Sequence, residues 1–149
     1  MKKILLLALL IMAFCATPVL AGDAFYGTVL AETRLDDAPT SVTSDGIDVS
    51  QYDKVAFWVT YDETEDGGGV SGDITLQVSY DDTTYHAAKF YDYTGGSTLQ
   101  TTENLAGDGS YIFWMDRDMS VKYARVICTG NATDANDLID VTVNYSAQK

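Results

Sequence analysis

Apolar residues recur at every second position along several stretches of this chain, and this alternation constrains the fold more than any other feature. The clearest stretch is DITLQVSY at 73–80, where one side of an extended strand carries Ile74, Leu76, Val78 and Tyr80. In LIDVTVNYS at 138–146, the same spacing joins Ile139, Val141, Val143 and Tyr145. Because successive side chains of a strand point to opposite faces, the pattern predicts β-strands with one buried face each.

A third stretch, KVAFWVTY at 54–61, is apolar on both faces, which indicates a central strand or one whose second face is covered. We therefore expect Trp58 to be buried, and likewise Trp114 within YIFWM. Turn-forming residues separate further predicted strands at 25–35, 85–91, 111–115 and 123–129. About seven or eight short strands with this spacing predict an all-β fold, a single antiparallel β-sandwich of the jelly-roll or immunoglobulin-like kind.

The chain opens with MKK, an apolar run at 4–14 and the small-residue end VLA, which is the layout of a secretory signal peptide. Cys15 raises the alternative of a lipid anchor, but the bulky Phe14 stands where such anchors need a small residue. We expect residues 1–21 to be removed and 22–149 to form one secreted domain. The run is shorter than the roughly 20 residues that cross a bilayer, so the mature chain is expected to have no transmembrane segment.

Acidic residues dominate the chain, with 22 Asp and Glu against nine Lys and Arg. Without Lys2 and Lys3, seven basic residues remain against those 22, a formal charge of −15. Nucleic acids and anionic membrane surfaces are bound through basic residues, so neither is an expected partner. Cys128 would be the lone cysteine after cleavage, and the strand pattern of ARVICTG predicts that its thiol is buried in the core.

Motifs for catalysis are missing from the sequence. His86 is the only histidine, and no serine lies in a G-x-S-x-G context. The glycine run at 67–69 has no lysine of the kind that phosphate-binding loops use. A carboxylate pair for glycoside cleavage depends on spatial rather than sequence spacing, and it stays a remote alternative. We therefore predict a protein that is not an enzyme.

Calcium is the one cofactor that the acidic loops suggest, because it prefers clustered oxygen ligands. The candidate ligands are Asp134, Asn136 and Asp137 in the loop NATDAND, although none of the loops has the EF-hand spacing. The alternative is that these side chains are solvated loop residues with no metal.

Exposed tyrosines are the candidate ligand contacts. Tyr91 and Tyr93 fall on one side of a predicted strand, with Asp92 between them, and could form a platform for stacking against a sugar. Tyrosine is also common in cores and cross-strand pairs, so both interpretations stay open.

Two stretches resemble small β-sandwich accessory modules of phage virion and tail proteins. DGIDVSQYDKVAFWVTYD at 45–62 resembles their opening D-V-S-x-Y-D-x-V-x-F-x-V, and ITLQVSYDDTTYHAAKF at 74–90 resembles their next hairpin, S-x-D-G-x-x-W. Ser79, Asp81 and Tyr85 hold the hairpin positions, with Asp82 in place of the glycine. The resemblance covers most of the mature chain and implies a non-enzymatic module for assembly or decoration, here in a secreted form.

Two functions follow as hypotheses. The first is a structural subunit of a surface layer, fibre or matrix, in which the first strand joins a neighbour's sheet through Phe25, Val29, Leu30 and Leu35. The partner would then be a second copy or another surface component. The second is a carbohydrate- or surface-binding module that uses Tyr91, Asp92 and Tyr93, with calcium as an optional aid.

Overall fold

A computed structural model describes residues 24–35, 40–63, 71–92, 99–106, 109–115, 121–130 and 139–149. The predicted signal peptide lies outside these residues. The described part of the chain contains strands and turns but no helix. Its twelve strands are β1 (Ala24–Leu35), β2 (Thr40–Thr43), β3 (Ile47–Asp48), β4 (Lys54–Glu63), β5 (Ser71–Ser79), β6 (His86–Ala87), β7 (Phe90–Asp92), β8 (Leu99–Gln100), β9 (Glu103–Ala106), β10 (Gly109–Met115), β11 (Tyr123–Gly130) and β12 (Ile139–Gln148).

The strands form two antiparallel sheets. The first sheet has the order β1-β12-β4-β10-β7-β8. The second has the order β2-β11-β5-β6, with β3 also paired to β11 and β9 also paired to β5. The prediction of an all-β antiparallel sandwich is confirmed. The apolar strand β4 lies between β12 and β10, which confirms its predicted central position.

The core lies between the two sheets and is built from the alternating apolar residues. Phe57, Phe90 and Phe113 of the first sheet are buried, and the rings of Phe90 and Phe113 meet edge to face at 5.0 Å. The second sheet adds Ile74 and Leu76 among others. The predicted inward side of β12 is confirmed, since Ile139, Val141 and Val143 are fully buried and Tyr145 packs against them.

Cys128 is buried in the core, as predicted. It lies on β11, opposite Ile74 of β5 and Val42 of β2. Burial raises the pKa of its thiol to about 12, because a thiolate would have to form away from water.

Tyr80 is a residue that the alternation assigned wrongly. Ile74 and Leu76 face the core, but Tyr80 is 81% exposed. Strand β5 ends at Ser79, so the chain has already turned before Tyr80 and the period of two no longer applies.

The sequence pattern also missed the short strands. The predicted strand 85–91 is two pieces, with β6 in the second sheet and β7 in the first, and Ala88 is buried where the chain passes between the sheets. Strands β2, β8 and β9 lie in stretches that the turn residues marked as loops. Two to four residues are too few to show alternation, which is why the structure has more strands than the expected seven or eight.

Side-chain hydrogen bonds close the turn between β5 and β6. The Asp81 carboxylate accepts hydrogen bonds from the backbone N–H groups of Thr84 (2.8 Å) and Thr83 (3.0 Å) and from the Ser79 hydroxyl (2.9 Å). Asp82 adopts a φ of 62°, the left-handed conformation that explains why related turns use glycine there. The Tyr85 hydroxyl donates to the Asp82 carboxylate, and the Arg125 guanidinium lies 3.7 Å from the centre of the Tyr85 ring.

Candidate functional site

The outward face of the first sheet carries a row of side chains that crosses five strands. The register aligns Tyr26 of β1 with Ser146 of β12, Ser146 with Ala56 of β4, Ala56 with Trp114 of β10, and Trp114 with Tyr91 of β7. Three strand spacings of about 4.8 Å separate Tyr26 from Trp114, a span of about 14 Å. The small residues Ser146 and Ala56 lie between these two rings.

A second row runs parallel to the first and contains Trp58. It aligns Thr28, Asn144, Trp58 and Ile112. Trp58 and Trp114 are therefore diagonal neighbours on adjacent strands, with an expected separation of about 7–8 Å. We call the outward-facing set Tyr26, Trp58, Tyr91 and Trp114 the aromatic face.

The expected burial of Trp58 and Trp114 is wrong. Trp58 is 44% exposed and Trp114 40% exposed. Their strands present Phe57 and Phe113 to the core, so the next residue along each strand falls on the outward side. Of the two structures that an apolar pattern on both faces indicates, β4 has the first: it is a central strand, and its second face is an exposed aromatic surface rather than a covered one.

Hydrogen bonds hold polar groups in place between the rings. The Trp58 indole Nε1 donates to the Ser146 hydroxyl at 3.2 Å. The Thr28 hydroxyl donates to the Asn144 amide oxygen at 2.7 Å. The face thus combines flat apolar surfaces with fixed hydroxyl and amide groups.

Two shallow depressions lie on this face, and Tyr26 lines both. One, of about 300 Å³, has Tyr26 and Trp114 as aromatic walls, with Lys54, Ala56 and Ser146 among its lining residues. The other, of about 390 Å³, lies between Tyr26 and Trp58, over Thr28 and Asn144. Tyr26 itself is 77% exposed.

The predicted ligand residues Tyr91, Asp92 and Tyr93 do not share one surface. Tyr91 is half-buried on the aromatic face, paired with Trp114 across the sheet. Asp92 points the other way and is 1% exposed, since neighbours on a strand alternate. Tyr93 lies outside the described residues. The role of these residues in binding stays a prediction.

Asp92 has a second carboxylate near it, that of Glu103. Partial burial raises the pKa of Glu103, and the negative charge of Asp92 raises it further. Because Asp92 is buried between the sheets, a polysaccharide chain on the surface has no access to it. The arrangement gives no support to the alternative of glycoside cleavage, which needs two carboxyl groups that flank the substrate.

The predicted assembly strand is β1, and it pairs with β12 of its own chain. Val29 and Leu35 are buried and Leu30 packs against the core, whereas Phe25 is exposed and contacts the Tyr52 ring at 5.3 Å. The pairing shifts register between Thr28 and Leu30 and again before Thr33. Strand β1 is the edge of the first sheet, with β12 as its one sheet neighbour among the described strands.

The candidate calcium ligands Asp134, Asn136 and Asp137 lie outside the described residues. Within the described ranges, no three His, Cys, Asp or Glu side chains cluster closely enough to bind a metal ion. His86 is exposed at the start of β6. In the same part of the chain, no helix has the length and apolar character needed to span a membrane.

Comparisons with known proteins show a likeness of fold. No family model matches this sequence, and a search of curated proteins also gave no match. The solved structure of YomS, a protein derived from the SPBc2 prophage, is similar over 85% of this chain and 94% of its own, with a TM-score of 0.55 and 13% identity. The predicted resemblance to a phage-derived β-sandwich is thereby confirmed at the level of fold.

Two further solved structures are similar with TM-scores below 0.5, and no conclusion is based on them. One is the disulfide-linked pili of Bacillus endospore appendages (TM-score 0.36, 13% identity, 86% of this chain and 92% of that chain). The other is a family 29 carbohydrate-binding module from Piromyces equi (TM-score 0.40, 12% identity, 83% of this chain and 91% of that chain).

Proposed function

We propose that this chain is an exported, non-catalytic binding module that holds a carbohydrate on the aromatic face. The observation that carries the proposal is the row of exposed rings on the outward side of the first sheet, with Tyr26 and Trp114 on either side of a small-residue floor. A sugar ring has an apolar face and a hydroxyl edge, and it stacks on flat aromatic groups while polar neighbours meet its hydroxyls.

The polar groups of the face favour a sugar over an apolar protein surface. Ser146 and Asn144 lie between the rings, and both are fixed by the hydrogen bonds to Trp58 and Thr28. A protein interface of this size would be expected to have an apolar centre with polar groups at its rim. Here the Ser146 hydroxyl and the Asn144 amide lie on β12, between Tyr26 and the two tryptophans.

The test is a broad panel of neutral and charged glycans, followed by titration calorimetry with the best ligand. We expect Trp58→Ala or Trp114→Ala to weaken binding roughly fivefold or more, because aromatic anchors dominate such contacts. Tyr26→Ala should also weaken binding. Tyr80→Ala is the matched control, since it removes an exposed tyrosine that lines neither depression.

The proposal would be overturned by an empty glycan panel, with and without calcium. It would also be overturned if the tryptophan variants, still folded by circular dichroism, bound the ligand as tightly as the unchanged protein.

A second candidate function is that of a structural subunit, and β1 favours it. A 12-residue edge strand offers backbone N–H and C=O groups along its outer side, apart from the Val29 carbonyl, which accepts from the Asp45 N–H at 2.9 Å. An extended segment of a second copy can pair with such groups. The pairing of β1 with β12 shifts register twice between Thr28 and Thr33, the stretch that holds Ala31.

Sedimentation velocity over a wide concentration range tests the second candidate. We expect concentration-dependent association that Ala31→Pro weakens, because proline removes one N–H from the edge at a position without a register partner in β12. Glu32→Gln at the neighbouring exposed position is the control for solubility and charge. A protein that stays monomeric at every concentration would exclude assembly by this strand.

A further inference from the structure

We propose that the aromatic face takes a linear acidic polysaccharide, with Lys54 as the group that meets its anionic substituent. This inference rests on the proposed function and names the class of glycan. It starts from the position of Lys54, which is exposed at the beginning of β4 and lines the depression between Tyr26 and Trp114. A ligand stacked on either ring would lie within reach of this ammonium group.

The other basic side chains of the described residues are mostly engaged elsewhere. Arg34 pairs with Asp140 at 3.0 Å, and three others lie over aromatic rings, namely Lys122 over Tyr123, Arg125 over Tyr85 and Lys149 over Phe25. Within the described ranges, Lys54 and Lys89 are the cations for which no such contact is found. Of these two, Lys54 lines a depression on the aromatic face and Lys89 does not.

Charge is distributed unevenly along the face. Lys54 is in register with the uncharged Gln148 at this end of the face. Asp53 precedes β4 and does not line the depression. At the opposite end of the same strands, Asp62 is in register with Asp140, and Arg34 bonds to Asp140 through both carboxylate oxygens. An anionic sugar is therefore attracted to the Lys54 end and repelled by Asp62 at the other.

This local cation matters because the rest of the protein is acidic. With 22 acidic residues against nine basic ones in the whole chain, the protein repels polyanions at long range. Such repulsion is screened beyond about 8 Å at physiological ionic strength, whereas a contact with Lys54 in the depression is screened less. The expected ligand is thus an acidic glycan that binds through stacked rings first and gains selectivity from one ionic contact.

The experiment compares polygalacturonate with its fully methyl-esterified form, which has the same backbone without the charge. We expect the exported form of the chain to bind the acid form more tightly at about 0.15 M salt, where the distant acidic residues are screened, and this preference to vanish near 1 M salt, where the screening length falls to about 3 Å. Lys54→Gln should weaken binding of the acid form about two- to fivefold, the range of an exposed ion pair, and leave the ester unchanged.

Lys122→Gln is the matched control, because it removes the same charge from the side of the second sheet. Equal binding of acid and ester, or equal effects of the two lysine variants, would overturn the assignment to Lys54 while glycan binding itself stands. A parallel arm with dextran sulfate and dextran separates sulfate from carboxylate recognition. If neither the uronate nor the sulfate polymer binds but neutral glycans do, the acidic class is wrong; if no glycan binds, the proposed function falls as well.

Discussion

At the scale of single residues, Asp81 shows how a short turn is fixed by one carboxylate. Three donors bond to its Oδ1, and the pKa of Asp81 is held well below its usual value, chiefly by the backbone N–H groups of Thr84 and Thr83 and then by the Ser79 hydroxyl. These bonds favour the ionised form, so they stabilise the folded state at any pH at which the unfolded chain would also be ionised.

We predict that Asp81→Ala lowers the urea midpoint of unfolding at pH 7 and that the difference narrows on acidification. A depressed pKa in the folded state means that the contribution is complete above about pH 4 and is lost as the pH falls further. Urea titrations between pH 7 and pH 2 measure this effect. Asp45→Asn, an exposed aspartate two residues before β3, should change little at any pH; an equal response from both variants would contradict the role of Asp81.

The exposure of Trp58 and Trp114 could not be predicted from the sequence. Both have apolar neighbours on the strand, and the sequence pattern alone does not say whether the second side of a strand meets protein or water. Tyr91 is a candidate because it falls on one side of a predicted strand with Tyr93, and in the structure it pairs with Trp114 across the sheet. The signal that would have found the site is the pairing of strands from distant parts of the chain, which one sequence does not contain.

At the scale of elements, β1 is held by its inward residues rather than by its edge position. Leu35 is buried at its end, and Gly130 of β11 lies against it so closely that an added Cβ would approach the Leu35 side chain to 3.2 Å. The strand therefore contributes to the core of its own chain. A deletion of β1 would expose this core, so it would not separate a loss of assembly from a loss of folding.

We predict that Leu35→Ala lowers the free energy of unfolding by about 2–5 kcal/mol, the usual effect of truncating a buried leucine. Glu32→Ala on the same strand is exposed and should change the free energy by about 0.5 kcal/mol or less. Urea unfolding followed by circular dichroism compares the two. If Leu35→Ala were as mild as Glu32→Ala, β1 would not be part of the folded core in solution.

Long strands were predictable and short ones were not. Strands β4, β5 and β12 each have at least nine residues, so alternation specified both their existence and, except at Tyr80, their inward side. Strands β6 and β7 lie in different sheets because the chain crosses from one sheet to the other within a few residues. The burial of Ala88 between them follows from tertiary packing. Local pattern carries no information about that crossing.

At the scale of the whole molecule, stability has a limit on the alkaline side. Partial burial and the hydrogen bond to Asp82 raise the pKa of Tyr85 to about 12, and burial raises the pKa of Cys128 to about 12 as well. Because both pKa values are raised in the folded state, the neutral thiol and hydroxyl stabilise the fold fully below their pKa values in the unfolded chain, about 8.5 for cysteine and 10 for tyrosine. This stabilisation is lost as the pH approaches 12.

We predict a urea midpoint that is constant from about pH 7 to pH 8 and falls between about pH 9 and pH 12. The decline should be shallower in the double variant Tyr85→Phe and Cys128→Ala, because neither replacement ionises. Tyr80→Phe, which changes an exposed tyrosine, serves as the control and should follow the unchanged protein. An identical decline in the double variant would show that other groups set the alkaline limit.

The outward position of both indoles also decides how this protein can be observed. The chain has two tryptophans, and both lie half-exposed on the aromatic face while the core is packed with phenylalanine and aliphatic side chains. In the native protein each indole is therefore partly covered by its neighbours and partly in contact with water. A molecule bound to the face would displace that water and shift the emission, so the protein carries its own optical reporter of occupancy.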